Sequence, residues 1–162
     1  MSKEQNREAD AKKEVYPELS AKERFPVSFS IFALARSHRA LAAQLLREIG
    51  LFVGQELMLM QLWDQDHQSQ QSLGRTLRLD HSTVAKSVRR LEEAGLVSRS
   101  RSAEDGRVTI VSLTQAGRDL ESKVMEIWSK MESVTTANLT EQEKELLVKL
   151  SRKISSSIEK DD

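Results

Sequence analysis

Cysteine is absent from the 162-residue chain. A disulfide framework, thiolate zinc sites, iron–sulfur ligation and thiol redox sensing are excluded together. Histidine is scarce, with 3 residues at positions 38, 67 and 81. No two of them lie within a helical turn of each other, so no metal site is expected. Glycine occurs 6 times, and no Gly-rich loop followed by lysine is present to cradle a phosphate. No Ser-His-Asp arrangement can be placed, and nothing selects one carboxylate pair among the 25 acids. The expectation is a protein that is not an enzyme and carries no cofactor. No uninterrupted apolar run approaches the roughly 20 residues of a membrane span. The N-terminus, MSKEQNREADAKKE, has no apolar segment, so no secretory signal is read and a cytoplasmic address is expected. Net charge is missing too, because 25 basic residues balance 25 acidic ones. Any polyanion affinity must therefore come from uneven placement of charge.

What is present is helical periodicity. Apolar residues make up 38% and charged residues 31% of the chain, which suits a shape of high surface-to-volume ratio or an elongated helical one. Residues 1–25 are polar and of mixed charge, and are expected to form a flexible arm. From Val27 to about Glu48, Ile31, Leu34, Ala35, Leu41, Ala42, Leu45 and Ile49 recur at helical spacing, and Gly50 follows as a stop. A second helix is expected from about Gly54 to Asp66, buried on most sides. Ser69 to Leu77 reads as a short helix, and Asp80 as the N-cap of another with Val84, Val88 and Leu91 facing inward. Gly95 ends that helix. Leu96 to Arg99 and Val108 to Leu113 read as strands joined by a turn at Asp105-Gly106. A helix from Thr114 carries Leu120, Val124, Ile127, Trp128, Met131 and Val134. Thr140 and Glu143 form a capping box that opens the last helix, striped by Leu146, Leu147, Leu150, Ile154 and Ile158.

Residues 69–113 thus spell helix, turn, helix, β-hairpin. The helix after Asp80 exposes His81, Ser82, Thr83, Ala85, Lys86, Arg89 and Arg90 opposite its apolar face. Hydroxyls and cations can bond phosphates and base edges in the DNA major groove. Between Ser69 and Arg101, 7 basic residues (Arg75, Arg78, Lys86, Arg89, Arg90, Arg99, Arg101) oppose 3 acidic ones (Asp80, Glu92, Glu93). The neutral chain is therefore locally positive where the recognition element lies. The competing reading is an ordinary solvated helix face. At the hairpin tip, Arg107 can enter a minor groove, with Asp105 holding its guanidinium extended in a bidentate pair. The competing reading there is an exposed turn with a weak ion pair.

The stretch from about Phe52 to Leu120 resembles the MarR family of winged-helix transcription regulators. The match is carried by Asp80-His81-Ser82-Thr83-Val84, by Leu91-Glu92-Glu93-Ala94-Gly95-Leu96-Val97-Ser98-Arg99, by Asp105-Gly106-Arg107 and by Val111-Ser112-Leu113-Thr114-Gln115-Ala116-Gly117. The resemblance implies a mainly α (α+β) fold: a winged helix-turn-helix lobe over 51–113, with long helices at 26–50 and 114–160 forming a dimerisation region. It implies a homodimer on a pseudo-palindromic double-stranded DNA site, acting as a repressor and residing on the nucleoid when bound. Ser82, Thr83, Lys86, Arg89, Arg90, Arg99, Asp105 and Arg107 are the implied DNA-binding residues. Family members often respond to small aromatic or phenolic effectors. Phe32, His38, Arg39, Met58 and Trp63 are the candidate lining residues here. The alternative places Met58 and Trp63 in the core and makes His38 and Arg39 a surface or interface pair. Ala85, Lys86, Ser87 and Arg89 depart from the usual family pattern, which bears on base preference. Gly74 stands where alanine is usual and keeps close packing open. The other functional class is a winged-helix protein-interaction module without DNA.

Overall fold

The computed structural model describes residues 22–159. The arm expected over 1–25 lies outside the described residues except at its end, where residues 22–24 are helical. The chain divides into two units, Met1–Ala40 and Leu41–Asp162. Helix α1 (Pro26–Arg47) begins in the first and ends in the second. Within the first unit, Val27, Ile31, Phe32 and Leu34 are all exposed.

The second unit carries the remaining elements in the order α2 (Gln55–Asp64), β1 (Gln68–Ser69), α3 (Gln70–Leu77), α4 (His81–Glu93), β2 (Val97–Arg101), β3 (Thr109–Leu113), α5 (Gln115–Asp119), α6 (Glu121–Thr136) and α7 (Glu141–Ile158). The sheet is antiparallel with order β1-β3-β2. Its core joins Leu45 and Leu46 of α1, Met58, Leu59 and Leu62 of α2, Leu73 of α3, Val84, Val88 and Leu91 of α4, and Val124 and Ile127 of α6. Each element contributes the apolar stripe that its helical spacing prescribes.

The capping chemistry lies where the sequence puts it. Asp80 accepts the Thr83 amide at 2.9 Å. Thr140 and Glu143 exchange both bonds of their capping box, and the Thr140 amide holds the Glu143 carboxyl below its ordinary range. Gly74 admits α4 closely: a Cβ there would sit 3.2 Å from both Leu79 O and Val84 Cγ2.

Four expectations need correction. The second helix stops at Asp64 rather than at about Asp66, although it is buried on most sides as expected, with only Leu57 and Asp64 exposed. The first residue of the expected short helix, Ser69, belongs instead to β1 and caps α3 by accepting the Ser72 amide. The first hairpin strand starts one residue and ends two residues later than expected, and the second starts one residue later but ends at Leu113 as expected, because register with the partner strand fixes them. The helix from Thr114 is divided at Leu120, whose φ of −79° and ψ of −15° loosen the turn without reversing the chain.

The last helix keeps its predicted stripe but buries nothing. Among the described residues of α7 none is buried, and its six large apolar side chains from Leu146 to Ile158 remain 36% to 64% exposed. Neither does any helix of the described residues have the length and apolarity to cross a membrane.

Candidate nucleic-acid interface

The interface begins with the helix-turn-helix. Helix α3 ends at Arg78, a non-glycine residue at φ +53°, and the chain reverses so that the Leu79 amide reaches back to Gly74 O at 2.9 Å. This short turn brings α4 across α3 with Val84, Val88 and Leu91 sealed inside. His81, Ser82, Thr83, Lys86, Arg89 and Arg90 are then all exposed on the opposite face. Apolar burial thus fixes which face of α4 is free, and that face is the one predicted to meet DNA.

The first-turn hydroxyls are pre-ordered by the cap. Ser82 Oγ donates to Asp80 Oδ1 and Thr83 Oγ1 to Asp80 Oδ2, each at 2.6 Å. These bonds, the Ser82 hydroxyl first, hold the Asp80 carboxyl far below its ordinary range. The hydroxyl protons are thus engaged within the helix start, which leaves the exposed oxygens free to act as acceptors.

The cations sort into three kinds. Arg99 is tied to Glu92 through Nε at 2.8 Å and Nη2 at 2.6 Å, and its amide also reaches Glu92 Oε1. That pair fastens β2 to α4, and the guanidinium keeps the Glu92 carboxyl low. Arg89 lies 3.6 Å from Glu93 one turn on. Arg90 lies over the ring of Phe52, 5.7 Å from its centroid. Lys86 and Arg107, by contrast, have no carboxylate within salt-bridge distance among the described residues. Removing the two pairs Arg99–Glu92 and Arg89–Glu93 takes equal charge of each sign from the stretch 69–101. The excess of four positive charges survives on Arg75, Arg78, Lys86, Arg90 and Arg101 against Asp80. Arg78 also contacts Glu159, just beyond α7, which raises the Arg78 pKa and lowers that of Glu159.

The wing tip departs from expectation. Asp105 does not grip the Arg107 guanidinium. Its Oδ1 accepts the Arg107 backbone amide at 2.9 Å, the local bond an aspartate makes two residues along a turn. The Arg107 side chain is left exposed, while its carbonyl accepts from Arg101 Nη1 at 3.3 Å. Arg107 is thus a cation without a carboxylate partner among the described residues at the end of the wing, and Asp105 shapes the turn beneath it.

At the base of the wing lies a contact set that sequence reasoning missed. Asp66, after α2, accepts the Leu113 amide at 2.9 Å, the His67 amide at 2.8 Å and Arg118 Nη1 at 2.6 Å. Burial pushes its carboxyl up, but these donors together prevail and hold it below its ordinary value. The only clue in the sequence was an unassigned arginine after the Thr114–Gly117 motif. Phe52 beneath Arg90 carried no signal at all.

The candidate effector residues fall in both units. Phe32, His38 and Arg39 are exposed residues of the first unit. Met58 is sealed in the core of the second unit. Trp63 is half-buried, its indole N–H donating to Gly117 O at 3.0 Å. No group of His, Asp and Glu side chains able to hold a metal ion occurs among the described residues.

Residues 40–124 match the family model described as transcriptional regulator SarA/Rot. The chain belongs to that family. Its members share a MarR-like winged helix, and the arrangement above is that fold. The organic hydroperoxide resistance transcriptional regulator of Bacillus subtilis is 32% identical over 99 residues, covering 61% of this chain and 67% of that protein. Across three curated relatives the matched stretch spans 49% to 67% of their own length. A probable transcriptional regulator from Pseudomonas aeruginosa superposes with a TM-score of 0.73 at 30% identity, covering 79% of this chain and 96% of that one. Bordetella bronchiseptica BpsR, whose DNA binding is regulated by 6-hydroxynicotinic acid, superposes with a TM-score of 0.73 at 26% identity, over 80% of this chain and 98% of its own. This SarA/Rot member therefore shares its architecture with regulators along almost the whole length of the solved structures.

Proposed function

We propose that this transcriptional regulator binds a two-fold-symmetric duplex site as a homodimer and acts as a repressor. The carrying observation is the free face of α4 continued by the wing, where Lys86 and Arg107 stand exposed without carboxylate partners among the described residues. Lys86 and the first-turn oxygens of Ser82 and Thr83 meet the major groove. Arg89 and Arg90 reach phosphates along the helix. Arg107 enters the adjacent minor groove, where the potential is most negative. In this reading Arg99 and Asp105 act from behind: one fastens β2 to α4, the other forms the turn. Dimerisation brings two such surfaces about one helical turn of DNA apart. The apolar row on α7 supplies the reason for pairing, and the exposed row of the first unit adds to it. An aromatic acid that changes the separation of the two lobes releases the DNA. The chemistry named for BpsR supports that class of effector.

Binding to a fixed operator duplex should fall steeply with salt. Contacts to several phosphates per dimer give a log–log slope of about −5 or steeper. Arg107→Ala should weaken that binding by about tenfold or more, in line with roughly 1–3 kcal/mol for a lost specific contact. Fluorescence anisotropy across a salt series measures both. A flat salt response, or unchanged affinity for the variant, overturns the phosphate contacts or the wing respectively.

A further inference from the structure

We propose that Asp66 is the positioning residue that aims the wing, setting where Arg107 lies by stapling the wing's base to the end of α2. The inference rests on the reading of Arg107 as a DNA contact, and it concerns a residue far from the tip in sequence.

The staple is built from three donors on three segments. The Leu113 amide ends β3, Arg118 lies in α5, and the His67 amide belongs to the loop itself. The carboxylate is 20% exposed, so solvent competes little with these donors. Beside it, His67 stands at φ +57°, a conformation that L residues rarely adopt, and its Nδ1 lies 2.7 Å from Ser112 Oγ. Trp63 holds the next turn through Gly117 O. Apart from the bond of Asp66 to neighbouring His67, every side-chain contact of this cluster named here falls on the last two residues of β3 or on α5, none on the tip. Among the described residues the tip's hydrogen bonds stay within the hairpin: Ser102 with Val108, Glu104 and Asp105, Asp105 with Val108 and Arg107, and Arg101 with Arg107 and Thr109.

This makes the hairpin a lever held at one end. Arg107 is six residues beyond Leu113, or about 20 Å of extended strand. A rotation of about 10° at the base then moves the tip by about 3 Å, on the scale of a hydrogen-bond length. A minor-groove contact does not survive that displacement, whereas the contacts of α4, packed through Val84, Val88 and Leu91, are unaffected. The short β1–β3 pairing, Gln68↔Val111 and Ser69↔Ile110, starts directly after His67. Asp66 and the pairing therefore work as one clamp.

The test uses the full-length protein with three changes: Asp66→Asn, Arg118→Gln and Arg107→Ala, the first also combined with the third. Asparagine keeps an acceptor for the Leu113 amide but loses the ionic bond to Arg118, and Arg118→Gln breaks the same bond from the other side. In the free protein, hydrogen–deuterium exchange over residues 99–113 should speed up several-fold in both single variants, while exchange in α4 stays unchanged. Operator affinity should drop about fivefold for Asp66→Asn in the wild-type background and less than twofold in the Arg107→Ala background. Equal losses in both backgrounds, or wing exchange that does not change, overturn the proposal. Failure of wild type to bind any duplex would instead overturn the DNA-binding reading, and the exchange experiment would still decide whether Asp66 positions the wing.

Discussion

Replacing Leu150 and Ile154 together with glutamate should give a folded monomer that no longer holds its operator. Both side chains are large, apolar and exposed, and α7 buries nothing among the described residues. The substitution therefore removes no intramolecular core contact, and the helix keeps good helix formers. Fully burying one such side chain contributes about 1.5–3 kcal/mol. A row of six, doubled by symmetry, competes with the roughly 4–15 kcal/mol that association costs. Two charges per chain in the middle of that row tip the balance to the monomer. Specific regulators bind at about 10⁻⁸–10⁻¹¹ M, so losing one of two half-sites lowers operator affinity by at least about 100-fold. Sedimentation velocity and anisotropy measure both. Lys153→Glu, on a charged part of the same helix, is the control and should leave assembly intact. A double variant that sediments as a dimer would remove α7 from the interface.

Gly117→Ala should be the most damaging single methyl in the molecule. A Cβ at Gly117 would stand 2.0 Å from Leu96 O and 3.1 Å from Leu96 C, so it overlaps backbone rather than a movable side chain. The carbonyl cannot retreat, because Leu96 O accepts the Thr114 amide at 3.1 Å and the Leu96 amide is bound to Leu91 O at 2.9 Å. Gly117 also presents its own carbonyl to Trp63 and its amide to Thr114 Oγ1. Relief of the overlap must part α5 from the hairpin and break several of these bonds. Overpacking ordinarily costs about 1–3 kcal/mol, and a backbone clash of this depth should cost about 3 kcal/mol or more. Gly106→Ala is the matched comparison: nothing lies within 4 Å of its added Cβ, and thermal unfolding should be nearly unchanged. Similar melting temperatures for the two variants would contradict the close approach.

These residues also mark what the sequence makes legible. Asp80, Thr140 and Glu143 announce their helices because a cap is satisfied within three residues. Val84, Val88 and Leu91 announce the buried face of α4 because helical spacing alone decides which side they share. The stripe of α7 is equally legible, yet its exposure is not, since a single chain says nothing about where a partner ends. Strand β1 has only two residues and exists through pairing with Val111 and Ile110, more than 40 positions away. Asp66 with Arg118, Arg90 over Phe52, and Arg78 with Glu159 are likewise long-range encounters that leave no periodic trace. The Asp105–Arg107 motif was legible as a tip. Its bonding was misassigned because the nearer backbone amide outcompetes a guanidinium that solvent holds.

The central claim is that two identical winged lobes read one duplex together. Selection of bound sequences from a pool of random duplex DNA, using the intact protein, tests it most directly. The account predicts enrichment of an inverted repeat whose half-sites are centred about 10 base pairs apart, with A·T-rich flanks where Arg107 enters the minor groove. Enrichment of an unrepeated half-site, or no enrichment above the starting pool, would contradict it.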